Sequence, residues 1–177
     1  MAINPSLFST ANTKASSARD DWGTPRALFE RLDMTRNFVL DAAASRENAL
    51  CWRYISEEMD ALTTEWDVEA GRWVWLNPPY SKCKEFMQRA VEQQQRHKFN
   101  LMVLVPARTD TRWWHDYALK ADVISFIVGR LTFHGGAHCA PFPSALLEYH
   151  SPALQRINDY TARVEWVDRL GTNIITF

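Results

Sequence analysis

Trp73-Val74-Trp75-Leu76-Asn77-Pro78-Pro79-Tyr80 decides the reading of this chain. The first four residues are a short apolar run, the mark of a buried strand. The last four form a turn stiffened by consecutive prolines, which fix φ and remove competing donors. A helical stretch, Lys84 to His97, follows. The tetrapeptide therefore sits at a strand's carboxyl end, where open α/β sheets place their ligands. An Asn-Pro-Pro-aromatic turn there suits methylation of an exocyclic amino group, whose delocalised lone pair makes a poor nucleophile. The Asn77 carboxamide oxygen and the Pro78 carbonyl can accept both N–H bonds and turn the lone pair outward. Tyr80 would lie against the flat face of the base. Such a string arises by chance in roughly one in a hundred chains of this length, so its strand–turn–helix setting is needed to give it weight.

Outward from the turn, apolar strands alternate with helices. Thr24 and Pro25 read as N-cap and first residue of a helix running through Ala27 to Leu32. Phe38-Val39-Leu40 is a strand ending at Asp41, and Cys51 to Ile55 is a second. Glu57 to Trp66 reads mostly as loop, Leu101 to Val105 as a strand and Trp113 to Leu119 as a helix. Val123 to Val128 and Ala145 to Tyr149 complete the strands. The expectation is an α/β sheet covered on both faces.

With 177 residues, 46% hydrophobic and 23% charged, the composition is that of a soluble globular protein. Met1 to Arg19 reads as a disordered polar tail without an apolar signal segment, and residues 20–177 as a single domain. The apolar runs are too short to span a bilayer, which excludes membrane-embedded functions of the helical kind. Cys51, Cys83 and Cys139 are an odd, scattered set, and the five histidines form no HExxH-type group. That pattern points to a reducing cytoplasm and a metal-free mechanism. The net charge of −1 argues against tight nonspecific nucleic-acid binding. Six acidic residues fall between Glu57 and Glu69, whereas Lys82, Lys84, Arg89, Arg108, Arg112 and Arg130 lie near later strand ends and loops.

Several blocks occur in a fixed order: Asp21-Trp22-Gly23-Thr24-Pro25, Leu40-Asp41-Ala42-Ala43-Ala44-Ser45, Asp60-Ala61-Leu62, Asn77-Pro78-Pro79-Tyr80, Pro106-Ala107-Arg108-Thr109-Asp110-Thr111 and Gly129-Arg130-Leu131-Thr132-Phe133. Together, from about Asp21 to Tyr149, the chain resembles the small phage-type DNA adenine-N6 methyltransferases related to Dam. The resemblance implies a Rossmann-like fold with a mostly parallel seven-stranded sheet and helices on both faces. It also implies S-adenosylmethionine as methyl donor, a flipped adenine in double-stranded DNA as substrate, and a bacterial cytoplasm reached through a phage or prophage.

By that resemblance Trp22, Thr24 and Pro25 cover the methionine end of the cofactor. Asp41 meets its ammonium or a water holding it, Ala42 and Ala43 allow close backbone approach, Asp60 and Ala61 receive its adenine, and Asn77 also borders the cofactor. Asn77, Pro78, Pro79 and Tyr80 form the catalytic turn. One departure stands out: Ala42-Ala43-Ala44 occupies the place of a Gly-x-Gly turn, and alanine enters positive φ less readily. For DNA contact the candidates are Lys82, Arg108, Thr109, Arg112, Arg130 and His134, the last in a loop running from His134 to Pro143. Trp113 and Trp114 read as core rather than as a base platform. There is little length for a separate target-recognition domain, and a monomer is the default expectation. Methylation of an RNA base or a protein glutamine, and a catalytically silent DNA-binding relative, are the alternatives.

Overall fold

Short β-branched and aromatic runs form strands here because pairing satisfies their backbone groups: the five inner strands of the described sheet have a partner on both sides and the two edge strands on one. In the computed structural model, residues 22–134, 138–152 and 163–176 are described, 173–176 by backbone alone. The expected tail Met1–Arg19, Asp21 of the first block and Gly135-Gly136-Ala137 of the loop lie outside these residues.

The elements run α1 (Arg26–Arg36), β1 (Phe38–Asp41), β2 (Trp73–Leu76), α2 (Cys83–His97), β3 (Asn100–Pro106), α3 (Arg112–Asp116), β4 (Val123–Ile127), β5 (Ser144–Tyr149), β6 (Arg163–Val167) and β7 (Asn173–Thr176). The seven strands form one sheet in the order β1-β2-β3-β5-β4-β6-β7. The expected mostly parallel sheet is instead mixed. β1–β2, β2–β3 and β4–β6 pair in parallel, whereas β5 inserts antiparallel between β3 and β4, and β7 runs antiparallel to β6. The carboxyl ends of β1, β2, β3 and β4 therefore share one edge, and that edge carries Asp41, Asn77, the loop after Pro106 and the loop after Ile127.

Helices cover both faces. α1 lies on the face of Trp73 and Trp75, where Phe29 meets Trp75 edge-on at 5.5 Å. On the opposite face Trp114 of α3 stacks on Phe126 of β4. Trp113 and Trp114 are both buried, as expected. The buried residues of α2 (Cys83, Phe86, Met87, Ala90, Val91, Gln93, Gln94) recur at helical spacing and form its inner stripe.

Three local expectations need correction. Pro25, not Thr24, occupies the N-cap position of α1, and its carbonyl accepts from Leu28 and Phe29 without any side-chain cap. Cys51–Ile55 is not a strand: Tyr54 makes a single bridge to Asp41, because the chain leaves the sheet edge on both sides of it. The helix expected through Leu119 ends at Asp116, and a 3-10 turn over Ala118–Lys120 follows. β6 and β7 had no counterpart among the expected strands.

Candidate active site

The strand β2 ends at Leu76, and the two prolines then carry the chain outward into a 3-10 turn, Tyr80–Lys82, that opens α2. Asn77 lies at the hinge. Its Nδ2 donates to the Trp22 carbonyl at 2.6 Å. A carbonyl can only accept, so this bond fixes which end of the carboxamide is nitrogen. The other end, Oδ1, is buried and has no hydrogen-bond partner. An orphaned buried acceptor costs stability, and a site that keeps one has a use for it.

Below Asn77 opens a cleft of about 810 Å³, within the range of small-molecule sites. Trp22, Thr24, Asp41, Ala43, Asp60, Ala61, Asn77, Pro79 and Lys82 all line it. Residues from four separate sequence blocks, with Lys82 just beyond the last, thus meet around one space. Pro25, Ala42 and Pro78 do not line it: Ala42 is fully buried and extends the ladder through its N–H to the Trp75 carbonyl.

Asp41 is the most unusual charge in the cleft. It is almost completely buried, and its carboxylate accepts only from the Leu50 N–H at 3.1 Å and, weakly, the Ala43 N–H at 3.5 Å. Burial outweighs those two bonds and raises its pKa from 3.8 to about 6. Its neighbour Cys51 is buried too, and burial, with Asp41 and Asp33 adding, pushes that thiol up to about 12. Cys51 is an inert core thiol.

Asp60 stands in the left-handed region at φ 55°, where Asp is tolerated better than most residues. Its carboxylate accepts from the Leu62 N–H at 3.0 Å and the Thr63 hydroxyl at 3.2 Å, which locks the turn. Among the described non-glycine residues, positive φ falls on Asn37, Asp60 and Lys98 and on none of the three alanines. The Ala42-Ala43-Ala44 segment therefore has no need of glycine's conformational freedom.

Tyr80 is placed differently from the expectation of an open stacking face. It is only 7% exposed and lies outside the cleft lining. Its ring meets Phe133 and Phe142 edge-on at 6.1 and 5.4 Å. Its hydroxyl is buried without a partner, and burial, with Cys83 adding, raises its pKa well above the usual value.

The DNA candidates are scattered over the same edge. Lys82 is exposed on the cleft rim. Arg108 and Thr109 are exposed in the loop after β3, and the Thr109 carbonyl bonds to the His115 ring at 2.9 Å. Arg112 is ion-paired with Asp116 at 3.2 Å, one turn along α3. Arg130 is exposed after Gly129, and His134 donates its backbone N–H to the Gly23 carbonyl at 2.6 Å. That bond ties the loop after β4 to the segment covering the cleft.

Sequence reasoning missed the wall made by Asn48, Leu50, Ile55, Ser56 and Glu57. It carries no periodicity, and its one signal was the run of small residues after Asp41. Among the described residues no group of three or more His, Cys, Asp or Glu could hold a metal ion. No helix among them is long and apolar enough to cross a membrane.

This geometry, a strand-end Asn-Pro-Pro-Tyr turn over a cleft with a buried carboxylate, coincides with a family assignment. Residues 10–144 match the family described as DNA N-6-adenine-methyltransferase (Dam), and the chain belongs to that family. It is 37% identical over 117 residues to a DNA N-6-adenine-methyltransferase of Escherichia phage T1, covering 66% of this chain and 48% of the phage protein. It is 32% identical over 123 residues to a DNA N-6-adenine-methyltransferase of Haemophilus phage HP1 (strain HP1c1), covering 68% of this chain and 69% of the relative. The chain thus spans about half the length of the T1 relative. A solved structure of a possible methylase from Clostridium difficile 630 aligns at TM-score 0.40 and 13% identity over 67% of this chain and 33% of that one, too loosely to carry an argument. The resemblance read from the ordered blocks is borne out by the family match.

Proposed function

We propose that this chain is an S-adenosylmethionine-dependent methyltransferase acting on the exocyclic N6 of a flipped adenine in double-stranded DNA. The observation that carries the reading is the Asn77 carboxamide. Its nitrogen is held by Trp22, and its oxygen is buried and unpartnered at the end of β2. Bound S-adenosylmethionine supplies an electrophilic methyl group on a sulfonium sulfur. The residues present fit that cofactor: the Asp41 carboxylate, buried without a paired Lys or Arg among the described residues, suits an ammonium group. Trp22, Thr24, Asp60 and Ala61 line the same cleft; Trp22 and Thr24 would cover the methionine end and Asp60 and Ala61 would receive the adenine.

Asn77 Oδ1 and the Pro78 carbonyl accept the two N–H bonds of the target amino group. That pairing rotates the nitrogen lone pair out of conjugation and holds it facing the cleft. The acceptors strengthen as the nitrogen becomes cationic in the transition state, so they act on rate more than on binding. Pro79 keeps the turn rigid, and Tyr80 supplies a flat face to the extruded base. Lys82, Arg108, Thr109, Arg112, Arg130 and His134 contact the duplex around it, and the protein acts as a monomer in the bacterial cytoplasm.

The test offers tritiated S-adenosylmethionine with unmethylated duplex DNA, tRNA or a release-factor protein. Label on adenine N6 of the duplex is the expected result. Label confined to tRNA or protein, or to none of the three, contradicts it.

A further inference from the structure

Between the cleft and Tyr80 stand two phenylalanine rings. Trp22, on the cleft wall, meets Phe133 and Phe142 edge-on, each at 5.3 Å, and those same two rings meet Tyr80 from the other side. Phe133 is fully buried, whereas Phe142 is partly buried against the core and retains some exposure to solvent. The tyrosine face offered to a base in the reading above is therefore filled by the protein's own side chains. The Tyr80 hydroxyl is sealed in with no partner, a sign that this closed packing is not the arrangement in which every group of the site is satisfied.

We infer that Phe142 is a gate residue: its ring occupies the approach to Tyr80 in the DNA-free protein and must swing away before an extruded adenine can be received. This rests on the reading that Tyr80 receives the base. The backbone on either side of Phe142 is pinned. The Ala140 N–H donates to the Leu131 carbonyl at 2.8 Å, and the Pro143 carbonyl accepts from Ala107 at 2.9 Å. Pro141 and Pro143 stiffen its flanks further. The motion is thus a rotation of one side chain rather than the opening of a loop. Edge-to-face and offset-stacked aromatic contacts are both favourable, so a stacked base can replace the Phe142 ring against Tyr80. A closed majority state lowers apparent substrate affinity by the fraction of molecules that are open.

The experiment compares wild type with Phe142→Ala and Phe142→Leu, using unmethylated plasmid DNA as substrate. Phe142→Ala is expected to lower KM for DNA about three- to tenfold while kcat stays within about twofold, because the open fraction rises. Phe142→Leu refills most of the space and should return KM toward wild type. A second arm needs no DNA: nitration by tetranitromethane, mapped by peptide mass, should label Tyr80 several-fold faster in Phe142→Ala. Unchanged Tyr80 nitration, or a KM that rises in Phe142→Ala, overturns the gate. A wild-type protein that methylates no DNA would instead contradict the proposed function, and the nitration arm would still test the closure.

Discussion

The Asn77 side-chain amide donates to the Trp22 carbonyl at 2.6 Å, and this bond is what turns the Asn77 oxygen into an available acceptor. It links the Trp22 segment to the turn that closes β2, two parts of the cleft lining far apart in the chain. Under the proposed function, a single residue would hold the cofactor cover with one end and accept from the substrate amine with the other.

Asp41 is expected to oppose stability while serving binding. Its folded carboxyl titrates near 6 against an ordinary 3.8. A raised acid favours the folded state fully below the ordinary value and loses that contribution as pH rises through 6. A rise of that size corresponds to roughly 3 kcal/mol at neutral pH. Asp41→Asn should therefore raise the Tm of the ligand-free protein at pH 7.5, with the gain gone by about pH 4. The same variant should lose most of the Tm increase that S-adenosylmethionine gives wild type. Thermal melts across pH, with and without the ligand, check both halves.

Glu148 carries the opposite sign. Burial raises its pKa most, but the bonds and charges of His150 and Arg36 together outweigh burial and leave it lowered. Arg36 reaches it at 2.8 Å and joins the end of α1 to β5. Its contribution is present above the ordinary carboxylate value and is lost as pH falls through the lowered one. Arg36→Met leaves a buried carboxylate with only His150, and should cost about 3 kcal/mol in urea unfolding at pH 7. A loss below about 1 kcal/mol would mean the pair behaves as a surface ion pair.

Tyr80→Phe removes a buried hydroxyl that has no partner. It should stabilise the ligand-free protein by about 1 kcal/mol and leave methyl transfer nearly unchanged. Tyr80→Ala should weaken productive DNA binding by roughly 1–3 kcal/mol through the loss of a stacking face. Equal losses in the two variants would assign the hydroxyl a role of its own.

The turn and its strand were legible because apolar residues and prolines act locally: Trp73–Leu76 is β2 to the residue. Direction was not legible. Ser144–Tyr149 is buried throughout, so its burial pattern is the same whichever way it runs, and only its insertion between β3 and β4 makes it antiparallel. Asp41, Asp60 and Asn77 were named from their blocks and do meet in one cleft. The closure over Tyr80 was beyond reach, since Phe133 and Phe142 come from a distant loop and contact depends on the tertiary fold. The free Asn77 oxygen was equally hidden, because it follows from a bond to a backbone carbonyl 55 positions earlier.

The most direct test compares Asn77→Ala with Asn77→Asp in single-turnover methylation of unmethylated genomic DNA, with S-adenosylmethionine affinity measured in parallel. Both variants lose the bond to Trp22, so both should weaken cofactor binding by a similar factor. Only the aspartate keeps an acceptor for the target amine. The account predicts that transfer in Asn77→Ala falls about a hundred- to a thousand-fold below that in Asn77→Asp. Equal rates in the two variants would contradict it, and would reduce Asn77 to a tether for Trp22.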